Sequence, residues 1–238
     1  MREFAFTIAY DEGADRLVDL FSSAPAARSN ALVCAQADAE LWRLDRVTGP
    51  SAVVDEAVSL LTDGAYDGLS VSDRPCDGER YTDVLERTAR NALVYTYVDT
   101  GGRCDAVSLI ADRYLSGGAL FEVTRRENTE RWRILMQDDE KVSMIYDTIG
   151  ATLRDGLSFR FEHLEDVTEP PLNPFGSRSL RPERRRVLEL AAESGYYETP
   201  RETTLDDLAA ELDWPRSTVS YRLRRAEAAL VEWFLSSA

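Results

Sequence analysis

The tetrapeptide "DGLS" at residues 67–70 recurs at residues 155–158, which is 88 positions further along the chain. The flanking sequence repeats as well: "DEG" at 11–13 answers "DTG" at 99–101 with the same spacing of 88. A third match, at a spacing of 90, pairs "ELWR" at 40–43 with "ERWR" at 130–133. Three matches in the same order indicate an internal repeat, a pattern that has to be recognised before a fold is assigned.

Each copy of the repeat has the same predicted order of elements: strand, helix, two strands, helix, strand. This β-α-β-β-α-β order is typical of the ferredoxin-like unit, with the glycine of DGLS at the turn from the second helix into the last strand. The predicted fold class is therefore α+β, with two tandem ferredoxin-like (ACT-like) units followed by an all-α helix-turn-helix domain. The predicted divisions are a first unit at 1–75, a connector at 76–90 with a short helix from Tyr81, a second unit at 91–168, a linker at 169–179 and the helical domain at 180–238.

The composition indicates a protein adapted to concentrated salt. Net charge is −15, and Lys141 is the only lysine among the 28 basic residues. Acidic self-repulsion is strongly screened at high ionic strength, which makes such a surface tolerable. The sequence has no apolar run of membrane-spanning length, and its beginning turns acidic too early for a secretory signal. We therefore expect a cytoplasmic protein without a membrane partner.

Cysteine and histidine usage gives little support for metal binding or catalysis. Cys34, Cys76 and Cys104 are irregularly spaced, no CxxC motif occurs, and His163 is the only histidine. The sequence thus predicts no metal, no cofactor and no enzymatic activity. Cys34 lies in an apolar run and is interpreted as a core residue. Cys104 and Cys76 are candidates for a redox sensor, since Cys104 lies near a predicted helix start where a thiol can be acidified; ordinary packing is the alternative.

The C-terminal part has a different charge balance and three predicted helices. From residue 177 onward there are 10 Arg and 11 acidic residues, so most of the negative charge lies in the preceding part. The helices are "RPERRRVLELAAES", "TTLDDLAAEL" and "PRSTVSYRLRRAEAALVEWFL". The tight turn "DW" between the last two, with a single apolar stripe on the last, is typical of a helix-turn-helix.

The last helix carries the candidate DNA-contacting residues. No acidic residue occurs between Asp213 and Glu227, whereas four arginines do. The residues expected to reach base edges are Arg216, Ser217, Ser220, Tyr221 and Arg224. Those expected to contact phosphates are Arg201, Thr203, Thr204, Thr218 and Arg225.

This C-terminal segment resembles the helix-turn-helix domain of the bacterio-opsin activator family of halophilic archaea. The matching residues include Gly195-Tyr196-Tyr197, Pro200-Arg201, Thr204-Leu205, Leu208-Ala209, Glu211-Leu212, Ser217, Val219-Ser220 and the run from Leu223 to Glu227. The resemblance implies a sequence-specific transcription regulator with an N-terminal sensory or dimerising region. At the turn the family favours Gly-hydrophobe-Ser, where this chain has Asp213-Trp214-Pro215, and the family's frequent Glu at position 221 is a tyrosine here.

Two hypotheses of different kinds follow. The first is a transcription regulator that binds double-stranded DNA as a homodimer and responds to a small-molecule effector through its N-terminal region. The second is a protein-interaction module, such as a sigma-like adaptor, whose helical domain binds the transcription machinery instead of duplex DNA. Loss of duplex binding on replacing the exposed arginines separates the two.

Overall fold

The structure is a computed structural model that describes residues 1–36, 40–101, 104–115, 118–167 and 182–237. The predicted linker at 169–179 lies outside the described residues. The chain divides into two compact units, Met1–Pro174 and Phe175–Ala238. None of the described helices is both long and apolar enough to cross a membrane.

The N-terminal unit contains one antiparallel sheet of eight strands and four helices among its described residues. The elements are β1 (Arg2–Tyr10), α1 (Arg16–Ser22), β2 (Arg28–Gln36), β3 (Glu40–Thr48), α2 (Ser51–Thr62), β4 (Glu79–Arg87), β5 (Asn91–Asp99), α3 (Val107–Asp112), β6 (Leu120–Arg126), β7 (Thr129–Met136), α4 (Val142–Thr152) and β8 (Leu157–Asp166). The strand order across the sheet is β4-β5-β3-β2-β6-β7-β1-β8. The α+β class predicted for this part of the chain is confirmed.

The first strands of the two repeats are exchanged. Strand β1 pairs with β7 and β8 of the second repeat, and β5 pairs with β3 and β4 of the first. The sheet thus consists of a first half-sheet, β4-β5-β3-β2, and a second half-sheet, β6-β7-β1-β8, joined where β2 pairs with β6. Two separate tandem ferredoxin-like units are therefore not confirmed. A repeat in sequence specifies which elements form, but it does not specify which of two equivalent first strands each hairpin accepts.

The two copies of DGLS have different structures. In the second copy, Gly156 adopts φ +83° and β8 begins at the next residue, as predicted. In the first copy, the Asp67 carboxylate accepts hydrogen bonds from the Leu69 and Cys76 amides, at 3.3 and 2.7 Å, and so holds a loop instead of a strand start. The strand follows only at β4, where the helix predicted from Tyr81 is wrong. Residues 79–87 alternate between exposed and half-buried positions and pair with β5 as an edge strand, and this pairing overrides the local helical pattern.

Local sequence explains where the main helices and turns occur. The Asp15 carboxylate accepts hydrogen bonds from the Leu17 and Val18 amides at 2.9 Å and so caps the start of α1. The β6–β7 hairpin turns through Glu127, which adopts a left-handed φ of +51°.

Phe4, Phe6 and Ile8 of β1 are fully buried in a hydrophobic cluster with residues of α3 and α4, so the helices cover this face of the sheet. A second cluster forms where α1 and α2 pack on the first half-sheet.

Candidate nucleic-acid interface

The C-terminal unit is built from three helices around a small apolar core. They are α5 (Pro182–Glu193), α6 (Leu205–Leu212) and α7 (Arg216–Ser237). The core residues are Val187, Ala191, Leu208, Ala209, Leu212, Val219 and Leu223, all less than a tenth exposed. Each helix thus contributes one apolar stripe, as its three- and four-residue spacing predicts.

Helix α6 begins at a complete capping box. The Thr204 hydroxyl accepts a hydrogen bond from the Asp207 amide at 3.3 Å, and the Asp207 carboxylate accepts from the Thr204 amide at 2.9 Å. The Thr204 hydroxyl also donates to Asp207 Oδ2 at 2.6 Å. These hydrogen bonds lower the pKa of Asp207. With Asp206 beside it, this helix start carries two carboxylates, which oppose an incoming phosphate.

The turn between α6 and α7 depends on one left-handed residue. Asp213 adopts φ +52° and ψ +43°, and the Trp214 amide donates to the Ala209 carbonyl at 3.1 Å to close the end of α6. Asparagine and aspartate tolerate this conformation better than most non-glycine residues, so Asp213 can stand where the related family favours glycine. Pro215 then leads into α7, and its carbonyl accepts from the Thr218 and Val219 amides.

The start of α7 presents a polar face to solvent. Arg216, Ser217, Tyr221 and Arg224 are exposed, and Ser220 is half-buried. The opposite side of the helix is buried through Val219, Leu223 and Ala226. The structure therefore brings the five residues predicted to contact bases onto one accessible side of a helix whose other side is anchored in the core.

The residues predicted to contact phosphates are more dispersed. Arg201 is exposed and stacks over the Tyr196 ring at 4.6 Å from its centroid. Arg225 is exposed on α7, whereas Thr203 and Thr218 are half-buried. The Thr204 hydroxyl is committed to the capping box described above.

Sequence reasoning missed contacts that position this face. The Arg222 guanidinium lies over the Trp214 ring at 4.1 Å, which ties the turn to the second turn of α7. Arg216 pairs with Asp206 across the helix-turn-helix at 3.0 Å, although both side chains remain mostly exposed. The Tyr197 hydroxyl donates to Glu227 at 2.8 Å and so joins α7 to the segment after α5. Burial, and then the Glu227 hydrogen bond, raise the pKa of Tyr197 and keep it a donor. These pairs lie eight to thirty residues apart in sequence, which is too far for a local pattern to reveal them.

The predicted sensor cysteines lie in the N-terminal unit and are bonded to each other. Cys76 and Cys104 form a disulfide with Cα atoms 4.4 Å apart, which links the loop before β4 to the segment before α3. Neither is a free thiol in this structure. Cys34 is free and half-buried, and burial raises the pKa of its thiol.

Comparison with known proteins agrees with this geometry. The family described as HVO_2928_N, N-terminal, matches residues 3–170, which is more than two thirds of the chain. A model described as an HTH DNA binding domain matches residues 181–232. The chain is 43% identical over 56 residues to the protein named transcriptional regulator NarO from Haloferax volcanii, a match that covers 24% of this chain and 26% of that protein. The resemblance to the bacterio-opsin activator type of helix-turn-helix is thereby confirmed. The chain belongs to the HVO_2928_N, N-terminal, family and carries an HTH DNA binding domain.

Proposed function

We propose that this protein is a transcription regulator that binds duplex DNA with the start of α7 in the major groove. The observation that carries the proposal is the exposed side of the start of α7, which has no acidic residue before Glu227 and stands opposite the buried Val219 and Leu223. A recognition helix needs this arrangement, since its N-terminal residues meet base edges while its other side fixes the helix in the domain. The name of the Haloferax relative and the matched HTH domain support the same reading.

In this proposal the base contacts come from Arg216, Ser217, Ser220, Tyr221 and Arg224. An arginine can pair bidentately with guanine, and serine accepts or donates to several base edges. Arg216 has to leave Asp206 to do so. Both partners are largely exposed, so breaking this pair costs about 1 kcal/mol or less.

Contacts to the phosphates of the DNA backbone are assigned to Arg201, Thr203, Thr218 and Arg225. Their role is to position the domain on the duplex without reading sequence. The sequence also predicts a phosphate contact for Thr204, but its hydroxyl is held by Asp207, and the carboxylates of Asp206 and Asp207 at this helix start disfavour phosphate. The phosphate contacts therefore centre on the flanks of α7.

We further propose that the protein acts as a homodimer whose N-terminal unit senses a small molecule. One helix-turn-helix makes few base contacts, and a two-fold dimer reads two half-sites about one helical turn apart. Concentrated salt strengthens this argument, because phosphate contacts lose affinity steeply as salt rises. A regulator in such a medium depends on base contacts and on dimerisation for its affinity.

The test begins by capturing genomic DNA with the intact protein at high salt, which supplies an operator. Binding to that operator is then measured by fluorescence anisotropy for the parent, Arg224→Ala and Arg185→Ala. Arg185 is the matched control, since it is an exposed arginine of α5, outside the predicted contact residues, and pairs with Glu189 at 2.7 Å. We expect a loss of about 5- to 100-fold for Arg224→Ala and little change for the control.

The opposite result has a clear meaning. If Arg224→Ala and Arg216→Ala fold normally and bind the operator with the affinity of the parent, then α7 is not the recognition helix. The helical domain would then be a protein-interaction module that binds a component of the transcription machinery.

A further inference from the structure

The first half-sheet is aromatic on the face that points away from the helices. Residues directly opposite each other in antiparallel strands lie on the same face, so the register identifies its members. Helices α1 to α4 pack on the opposite face, through residues such as Val33 and Val47. Two neighbouring rows form what we call the aromatic face: Tyr81, Tyr97, Trp42 and Cys34, and then Tyr95, Leu44 and Leu32.

The aromatic face has no packing partner among the described residues. None of its members belongs to any of the apolar clusters that these residues form. Tyr81 is 59% exposed, and its ring meets that of Tyr95 edge to face at 6.4 Å. Trp42, Leu44, Tyr95 and Tyr97 are half-buried. A contiguous apolar surface of this kind marks an interaction site.

The second half-sheet provides an internal comparison, because its side of the same face is charged. There Arg133 pairs with Glu3 and with Glu122, and Arg131 pairs with Glu162 at 2.8 Å. An antiparallel sheet that faces water on one side is expected to be polar on that side. The second half-sheet meets this expectation, whereas the aromatic face of the first does not.

One end of the aromatic face is acidic. Three carboxylates lie side by side there on neighbouring strands, those of Glu79, Asp99 and Glu40. The Tyr97 hydroxyl donates to Glu40 at 2.9 Å. Like charges directly opposite each other destabilise a sheet, so a positive group placed over this row would relieve the repulsion.

The other end of the aromatic face is basic. Arg28 of β2 and Arg46 of β3 lie on the same face as Leu32 and Leu44, beyond these leucines. Arg46 also donates to Glu86 at 3.3 Å, which neutralises part of this end. The face thus has an apolar centre between a negative and a positive end.

A second copy of the same face matches these charges in one orientation. If a two-fold axis lies in the interface and runs across the strands, the strand direction is reversed. The acidic row of each copy then lies over the basic end of the other, and Trp42 lies near the partner's Arg46, where an arginine can stack on the indole. An axis along the strands would instead place the two acidic rows over each other.

The size of the face is sufficient for a dimer. Each of its four strands has nine residues. At about 3.3 Å per residue and about 4.8 Å per strand, the face measures roughly 30 Å by 19 Å, or about 570 Å² per copy. Two copies would cover about 1,100 Å², and a specific interface needs about 1,000 Å². An aromatic centre with charged ends is also the composition that interfaces prefer.

We propose that the aromatic face is the dimer interface of this protein, packed against the same face of a second copy with the strands reversed. An aromatic sheet face can also stack the bases of single-stranded nucleic acid, but the acidic row opposes phosphates, so a second copy fits the charges better. The inference rests on the proposed function only in assigning this dimer to operator binding.

Self-association of the full chain is measured by sedimentation equilibrium in concentrated KCl, with folding checked by circular dichroism. We expect the parent to be dimeric at micromolar concentration, and Tyr81→Glu to raise the dimer Kd about tenfold or more. Leu44→Glu is expected to act in the same way and serves if Tyr81→Glu fails to fold. Phe161→Glu is the matched control, since Phe161 is a 49% exposed aromatic residue of the other edge strand, on the helix-covered face.

Three results would overturn the proposal. The first is a monomeric parent, and the second is a dimer that Phe161→Glu weakens while the other two variants do not. The third is saturable binding of an oligothymidylate by a monomeric parent that is lost in Tyr81→Glu, which would identify single-stranded nucleic acid as the occupant.

The orientation is tested by mixing two charge-reversed chains at reduced KCl, where surface charges are less screened. Glu40→Arg and Arg28→Glu are each expected to raise the dimer Kd about fivefold, because each places like charges over one another in its own dimer. An equal mixture is expected to recover the parent affinity, since opposite charges then face each other across the heterodimer. A mixture that associates no better than either variant alone contradicts the reversed packing.

Operator binding by the same proteins separates the interface from the proposed function. A loss of operator affinity in Tyr81→Glu that follows the loss of dimer supports both. If the parent dimerises through the aromatic face but binds no duplex, the proposed function fails and the interface stands. If the parent binds an operator while Tyr81→Glu and Leu44→Glu dimerise with its affinity, the interface fails and the proposed function stands.

Discussion

Exchange of the first strands can be tested by the energetic coupling between Phe6 and Phe159. Phe6 is fully buried on β1, and its ring lies 4.8 Å from that of Phe159 on β8, at an interplanar angle of 46°. Aromatic pairs of this kind contribute about 0.5–1.5 kcal/mol beyond their buried area. A double-mutant cycle with Phe6→Leu and Phe159→Leu is therefore expected to show a coupling free energy in that range.

A second cycle, between Phe6→Leu and Trp42→Leu, is the control. Trp42 lies on β3, four strands away from β1 in the observed order, which corresponds to roughly 19 Å at about 4.8 Å per strand. Two separate tandem units would instead place β1 directly beside β3. Substitutions this far apart are additive within about 0.5 kcal/mol, so we expect no coupling in the control cycle.

The assay is denaturant unfolding of the full chain and its single and double variants, at one fixed concentration of KCl. Free energies are compared only among variants with the same denaturant dependence, since a changed slope signals a change in the surface exposed on unfolding. Coupling between Phe6 and Trp42, together with additivity between Phe6 and Phe159, would refute the exchanged strand order.

How far the sequence predicts this structure depends on the range of the contacts involved. The helix-turn-helix follows from local rules: the Thr204 cap, the Asp213 turn and the apolar stripe through Val219 and Leu223 are all set within a few residues. Strand exchange is set by pairings between distant segments, and the repeat makes the alternative pairings look equivalent in sequence. The element type of most segments was therefore predictable, with β4 the exception, and the pairing partners of the strands were not.

Three further predictions concern single residues. Asp213→Gly is expected to leave the free energy of unfolding unchanged or to raise it by up to about 1 kcal/mol, because glycine adopts φ +52° without strain; a clear loss in thermal unfolding would contradict this. Gly68→Ala is expected to destabilise the protein by about 1–3 kcal/mol in denaturant unfolding, since the added Cβ would clash with the hydroxyl end of the buried Tyr66 ring; equal stability would show that the loop yields freely. The ion pair with Arg133 lowers the pKa of Glu3, so the stability that this pair contributes is present above the unfolded pKa and is lost as pH falls through the folded pKa. Glu3→Gln is therefore expected to flatten the loss of stability from about pH 5 downward. An unchanged pH dependence of the free energy of unfolding would contradict this prediction.

The exchanged strands and the β2–β6 pairing together join the two repeats into one sheet. Asp45 belongs to the first half-sheet, whereas Arg125 and Glu130 belong to the second. These buried charges share one row only because β2 and β6, which would be free edges in separate units, pair with each other and place Ser29, which donates to Asp45, opposite Arg125. Because β1 lies in the second half-sheet and β5 in the first, each half-sheet contains three strands of one repeat and one strand of the other. Neither repeat can therefore unfold without removing a strand from both half-sheets.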